Sequence, residues 1–267
     1  SPPASTGARQ LAALAADTGS VGDIVIGGEF QGSLDLGGGD LASAGGSDLF
    51  VTKFNPSTNH LWSRRLGGSL DDVFSSLDIA ADRDVLVAGS YLGSWAFGTT
   101  VLPIVGTDTM AIWHYDDSGD STTALVPATT GGTSLARDAA GKFPPSTFAV
   151  GSYTGELELD NETVDALGTI DGFVVRYDRE NLDVDWLQTM GGAGPDDVSR
   201  VVFTSDGDIA VAGHFTGVAD IFGDIAMASG AAQNAFIARL RDTTGATDFT
   251  QTLVSSGGVT INALEAF

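Results

Sequence analysis

Short apolar runs that end in glycine recur at a fixed spacing along this chain of 267 residues. Each run leads into the pentapeptide Gly-x-aromatic-x-Gly, and the first glycines of its four copies lie 61, 62 and 62 residues apart. One pattern at one spacing indicates an internal repeat of about 62 residues. The copies occupy residues 28–32, 89–93, 151–155 and 213–217, with Phe30, Tyr91, Tyr153 and Phe215 at their centres.

The alternation of apolar and polar positions predicts four strands in each repeat. The second strand carries the pentapeptide, a variable segment of about 15 residues follows it, and a Gly-Gly pair closes the repeat. First strands are predicted at residues 11–17, 73–82, 134–141 and 198–207. Third strands, which open with Asp or Asn, are predicted at residues 48–54, 108–114, 171–177 and 234–240. The clearest fourth strands are predicted at residues 61–66 and 185–190.

Four short antiparallel strands per repeat are typical of the blades of an all-β β-propeller. We expect the four central aromatic rings to be buried between neighbouring blades, because a ring of this size buries a large apolar area. The glycines beside each ring would let a neighbouring backbone approach closely.

The repeat also predicts the domain organisation. Residues 1–8 are expected to be a linker, and residues 9–267 to be the propeller domain. Its units are predicted at 9–68, 69–132, 133–192 and 193–258, followed by an extra first strand at 259–267.

A closed ring of four blades has only four inner positions, so the extra strand needs an explanation. The favoured interpretation is a longer array, in which the native ring has more than four blades. The alternative is strand exchange, in which residues 259–267 pair with residues 23–30 and complete the first blade.

Composition narrows the class of partner. The formal net charge is −23, which disfavours binding to nucleic acid or to an anionic membrane surface. No apolar run reaches the 18 residues that a membrane-spanning helix needs.

The chain has no cysteine, and its start, Ser-Pro-Pro-Ala-Ser-Thr-Gly, is typical of a processed end and a flexible linker.

Several stretches together resemble the β-propeller repeats found in large exported proteins of myxobacteria and their relatives. They are Gly-Gly-Ser-x-Asp-Asp at 67–72, Val-Ala-Gly-Ser-Tyr at 87–91, Ala-Ala-Asp at 80–82, Gly-Gly-Ser-Asp-Leu-Phe-Val-Thr-Lys-Phe at 45–54 and Trp-Ser-Arg-Arg-Leu-Gly-Gly at 62–68. The resemblance covers nearly the whole chain. It implies a secreted or cell-surface protein of a bacterium, and it implies no particular reaction.

Two pairs of carboxylates are the candidate metal ligands. They follow Gly-Gly pairs at the turn into the next first strand, near one mouth of the expected channel, and comprise Asp71, Asp72, Asp196 and Asp197. Carboxylate oxygens suit Ca²⁺, which takes several oxygen ligands. The alternative is that each carboxylate accepts backbone N–H bonds and joins neighbouring blades.

No catalytic set is recognisable. His60, His114 and His214 occupy different positions of the repeat and form no metal-binding spacing, and no Gly-x-Ser-x-Gly turn occurs. Aromatic residues of the second unit could stack on sugar rings if exposed, or pack between sheets; they are Trp95, Phe97 and Trp113.

The sequence therefore favours an extracellular binding or structural module that recognises a protein or a glycan, with further repeats of the same protein as another partner. Recognition would lie on the variable segments at 33–46, 94–107, 156–170 and 218–233, because loops on a rigid scaffold carry most recognition. Two alternatives remain open at this point. One is a metal-assisted hydrolase or lyase at the channel mouth, and the other is a purely architectural segment of a surface assembly.

Overall fold

The computed structural model describes residues 8–16, 22–103, 108–127, 132–141, 146–227 and 232–266. The predicted linker at 1–8 lies almost entirely outside these residues. All regular structure in the described residues is β-strand, with no helix, and the ladders between strands are antiparallel. The all-β prediction is confirmed.

Each of the first two units contains six strands, of which four form a sheet and two form a separate hairpin. The first sheet has the order β1-β2-β5-β6 and the second the order β7-β8-β11-β12. The strands of the first unit are β1 (Ala8–Ala16), β2 (Ile24–Phe30), β3 (Ser33–Asp35), β4 (Asp40–Ala42), β5 (Asp48–Phe54) and β6 (His60–Leu66). Those of the second are β7 (Val73–Ile79), β8 (Val85–Tyr91), β9 (Trp95–Phe97), β10 (Thr100–Leu102), β11 (Thr109–Tyr115) and β12 (Ser121–Leu125).

The third and fourth units repeat this arrangement, with sheets in the order β13-β14-β17-β18 and β19-β20-β23-β24. The third unit contains β13 (Ser134–Gly141), β14 (Ser146–Tyr153), β15 (Glu156–Leu159), β16 (Glu162–Asp165), β17 (Asp171–Asp178) and β18 (Val184–Gly192). The fourth contains β19 (Asp197–Phe203), β20 (Ile209–Phe215), β21 (Val218–Ile221), β22 (Asp224–Met227), β23 (Asn234–Leu240) and β24 (Thr247–Leu253). The hairpin β21-β22 also pairs with the outer strand β18, which extends the third sheet to six strands.

The predicted strands agree with the observed ones to within a few residues. Two third strands, β5 and β23, and the first strand β13 have the predicted limits. The largest shifts are at inner strands, since β19 ends at Phe203, β1 begins at Ala8 and β7 ends at Ile79. The variable segments, which were expected to be turn-rich, each contain the short hairpin between the second and third strands.

The pentapeptide has the same structure in every unit. The second glycines have positive φ angles of 66° to 82°, where a side chain would be strained. A Cβ at the first glycine of the last two copies, Gly151 and Gly213, would collide with the carbonyl oxygens of Leu135 and Asp197. Those carbonyls approach the glycines closely because the inner strand has a β-bulge opposite each glycine.

The central rings are buried, as predicted: Phe30, Tyr91, Tyr153 and Phe215 expose no more than 1% of their surface. Three of them belong to apolar clusters that combine residues of consecutive sheets. The two tyrosines also hold the hairpins, because the Tyr91 hydroxyl donates to the Pro103 carbonyl at 2.5 Å and the Tyr153 hydroxyl donates to the Asp165 carbonyl at 3.4 Å.

The four sheets pack in sequence. Inner strand β1 contacts β7, β7 contacts β13, and β13 contacts β19. Within the described ranges no comparable strand contact joins the fourth sheet to the first. The array is therefore open between its two ends.

The prediction of a fifth first strand is wrong, because residues 254–266 form no β-ladder. A ladder needs a second strand beside it, and this segment meets no further sheet. The strand-exchange alternative is also wrong, because β1 is the strand that pairs with β2, with Leu14 opposite Ile26.

Candidate functional site

Asp72 and Asp196 occupy equivalent buried positions at the crossing from one sheet to the next. Asp72 accepts hydrogen bonds from the backbone of Gly68 at 2.9 Å and of Leu92 at 3.2 Å. Asp196 accepts from Gly192 and Thr216, both at 2.8 Å. Each carboxyl thus joins the Gly-Gly pair that ends one unit to the residue after the central ring of the next.

Burial changes the protonation of both groups. It raises the pKa of Asp72 to about 7 and the pKa of Asp196 to about 6, although the backbone hydrogen bonds lower both values. Neighbouring carboxylates add to the increase, Asp48 in the first case and Asp171 in the second.

The outer members of the two pairs have different partners. Asp71 accepts a hydrogen bond from the Ser47 backbone at 2.7 Å, and Asp197 lies 3.1 Å from Nδ1 of His214. In the described part of the chain, no three His, Asp or Glu side chains converge as metal ligands do. The arrangement ties sheets together, and the calcium site stays a prediction.

A cavity of 330 Å³ lies where the third and fourth sheets meet at this end of the strands. Its lining includes Arg137, Tyr153, Asp197 and His214. His214 Nε2 accepts a hydrogen bond from the Ile261 backbone at 3.0 Å, so its proton lies on Nδ1 and points to Asp197. Because both ring nitrogens are engaged, this histidine has no free nitrogen for a metal or for proton abstraction.

The other two histidines are also engaged. His60 Nε2 lies 2.7 Å from the Ser63 hydroxyl. His114 is buried, with Nε2 2.7 Å from the Tyr177 hydroxyl, and burial lowers its pKa to about 3. A neutral, enclosed imidazole of this kind has a structural role.

The aromatic residues of the second unit do not form a sugar-stacking platform. Trp113 and Phe97 are buried, and Trp95 is half-buried with its ring centre 5.9 Å from that of Trp113. They pack the core between the first two sheets. Their clustering in one unit therefore reflects a denser core.

The four hairpins form the most distinctive surface. Each hairpin leaves the second strand at the end of the sheet that carries the Asp pairs, and its turn lies against the start of the fourth strand at the other end, as where the Thr247 hydroxyl donates to the Phe222 carbonyl at 2.9 Å. The segments 33–46, 94–107, 156–170 and 218–233 together contain nine carboxylates and no Lys or Arg. They also present exposed aliphatic side chains, namely Val101, Leu167, Val218 and Ile225.

The opposite end of the sheets holds buried cations between neighbours, which the sequence did not predict. The Lys53 side chain is fully buried and pairs with Asp23 at 3.4 Å and with Asp117 of the second sheet. Arg179 of the third sheet pairs with Asp82 and Asp84 of the second. The signal was present at residue 53, since lysine is rare in this chain and here lies in an apolar strand.

In comparisons with known proteins, no protein-family model matches this chain, and no curated protein matches it either. No helix of the described residues is long and apolar enough to cross a membrane.

Proposed function

We propose that this chain is a non-enzymatic recognition and structural module, a portion of a β-propeller array that acts outside a bacterial cell. Its four sheets would be consecutive blades, which agrees with the contacts between successive inner strands. The exported setting and the kinship with myxobacterial propeller repeats rest on the sequence resemblance alone.

The hairpins are the recognition surface in this proposal. The observation that carries it is their composition: nine carboxylates, no basic residue and exposed aliphatic side chains on the hairpins of a repeated scaffold. Such a surface suits a protein partner with a basic rim and apolar contacts, since charge complementarity guides association and apolar contacts supply affinity. A glycan is disfavoured because the candidate stacking rings are buried or packed together.

An enzyme is disfavoured by the cavity between the third and fourth sheets. Its one Asp–His pair uses both imidazole nitrogens for internal hydrogen bonds. A general base needs a free nitrogen within reach of its substrate.

The experiment is a binding screen of the immobilised chain against secreted bacterial proteins and a glycan array, with and without CaCl₂. We expect a protein ligand whose affinity falls with salt. Charge reversal of the exposed hairpin residues Glu162→Lys and Asp165→Lys should weaken binding about tenfold or more.

The matched control is Glu180→Lys, an exposed carboxylate in the turn between the third and fourth strands of the same unit, beside Asp82 and Asp84 of the second sheet. It changes the net charge in the same direction and should leave binding unchanged. Binding to glycans alone, or equal loss with the control, would contradict the proposal.

A further inference from the structure

One contact recurs at all three junctions between sheets. A side chain of the fourth strand donates a hydrogen bond to a carbonyl in the next sheet's turn between its third and fourth strands. Trp62 donates to the Asp117 carbonyl at 3.0 Å, and Trp186 donates to the Asp242 carbonyl at 2.8 Å. At the middle junction the Thr123 hydroxyl donates to the Arg179 carbonyl at 2.6 Å.

The residue under the docked side chain depends on its size. Each turn has one residue with positive φ, and under the two tryptophans it is Gly119 and Gly245. A Cβ at these glycines would lie 2.5 Å and 2.9 Å from the indole atoms of Trp62 and Trp186. Under the smaller Thr123 the turn has Leu182 at positive φ instead.

A cation opposite each docked tryptophan forms an ion pair with the same turn of the next sheet. Lys53, which lies opposite Trp62 in the ladder, pairs with the Asp117 carboxylate of the next sheet. Arg176, which lies opposite Trp186, pairs with Asp242 at 2.8 Å. An aromatic residue beside a cation thus meets a turn that contains Asp and then Gly.

The fourth sheet carries an aromatic residue opposite a cation at the same ladder position, although Phe249 has no N–H to donate to a neighbouring carbonyl. Phe249 lies opposite Arg239 in the ladder, as the two tryptophans lie opposite their cations. Phe249 is 51% exposed, against 6% for Trp62 and 8% for Trp186. Arg239 contacts carboxylates of its own unit, where the equivalent cations reach the next sheet.

The chain beyond the fourth sheet is placed as if another sheet followed. At the three junctions a residue at the start of the next inner strand donates a backbone hydrogen bond to the residue before the third strand, and the bond from Asp72 to Ser47 at 2.8 Å is one case. Val259 makes the equivalent bond to Gln233 at 2.9 Å. This segment therefore lies where an inner strand begins.

We propose that the free face of the fourth sheet, centred on Phe249 and Arg239, docks one further four-stranded sheet of the same repeat. The turn between the third and fourth strands of that sheet would contain Asp followed by Gly at the left-handed position. This inference rests on the proposed propeller array and adds the identity of its next neighbour.

The first sheet of a second copy does not meet the requirement. Its turn has Pro56 in place of Asp117 and Thr58, with φ of 61°, in place of Gly119. Thr58 would place a Cβ under the Phe249 ring, and Pro56 offers Arg239 no carboxylate. Head-to-tail pairing of identical chains is therefore disfavoured.

The test extends the chain with its own second unit. Residues 72–132, which carry Asp117 and Gly119, would follow Gly258 in place of 259–267, so that Asp72 takes the position of Val259. We expect hydrogen exchange of the β24 amides to slow at least about tenfold relative to the unextended chain. Phe249→Ala in the extended chain should remove most of this protection.

The control is a Gly119→Asn substitution in the added copy. Asparagine tolerates the left-handed backbone but adds a Cβ under the ring, so the sheet should fold and β24 should remain unprotected. Unchanged exchange of β24 on extension, or equal protection by the Asn copy, would overturn the proposal.

Sedimentation of the unextended chain is a second test, because it measures whether identical chains associate. Association that Phe249→Ala abolishes would mean that the first sheet of another copy is the occupant, against the proposal. Both experiments measure protection or association of the fourth sheet and neither measures ligand binding, so a failure here is distinguishable from a failure of the recognition function.

Discussion

Replacement of Trp186 by alanine tests whether neighbouring sheets are held together at the fourth-strand aromatic. Trp186 is 8% exposed and packs in the cluster between the third and fourth sheets. A buried tryptophan removes roughly 150–250 Å² from water, worth at most about 4–6 kcal/mol. Large aromatic-to-alanine changes in cores cost about 3–5 kcal/mol.

The hydrogen bond adds to this loss. The indole N–H donates to the Asp242 carbonyl, and its removal costs about 0.5–1.5 kcal/mol. The space that the Trp186→Ala substitution leaves can admit water to the Asp242 carbonyl, which offsets part of the lost hydrogen bond. We therefore expect a total decrease of about 3–5 kcal/mol in the free energy of unfolding.

The assay is urea unfolding followed by far-ultraviolet circular dichroism, since the substitution removes a fluorophore. Phe249→Ala is the matched control, because it occupies the equivalent ladder position and is half exposed. It should cost less than about 1 kcal/mol. A Trp186→Ala loss below about 1 kcal/mol, or equal losses for both variants, would refute the docking role.

Three further predictions concern the rings and the carboxylates. Tyr153→Ala should cost about 3–5 kcal/mol in urea unfolding, and a loss below about 1 kcal/mol would argue against its role between sheets. Because burial raises the pKa of Asp72 to about 7 and of Asp196 to about 6, the folded state binds more protons than the unfolded state between about pH 4 and 7. The free energy of unfolding should therefore fall as pH rises through this window, and Asp72→Asn should make the dependence shallower; an unchanged slope would contradict the assignment. If the Asp pairs bind Ca²⁺, the melting temperature should rise with calcium and Asp71→Asn with Asp196→Asn should abolish the rise, whereas an equal rise with Mg²⁺ or NaCl would indicate charge screening.

The sequence was sufficient to predict the second and third strands of each unit because local signals mark them. The pentapeptide glycines are required by backbone geometry, at positive φ or under a bulged carbonyl, and the ring between them must be buried. These requirements are local and repeat four times, so the periodicity alone located the second strands.

The prediction failed where structure depends on a distant partner. Residues 259–266 have the strand pattern of their counterparts in other units but no strand beside them. The role of Trp62 depends on Gly119 in the next unit, a relation that no local window contains. The calcium site at Asp71, Asp72, Asp196 and Asp197 stays a prediction, but the backbone amides that donate to Asp72 and Asp196 belong to residues that only the fold brings near.

The identity of the residue under each docked side chain limits how such a chain could have grown by duplication. Repeating the block of sheets two and three would set Trp186 over Gly119, a glycine as Gly245 is, and Thr123 over Leu182 again, so each docked side chain would meet the type of residue that it meets now. Repeating sheet three alone would set Trp186 over Leu182, where a Cβ occupies the space that the indole needs. Lengthening by that block is therefore compatible with packing, while a copy of the third unit next to itself would need a compensating substitution in its turn.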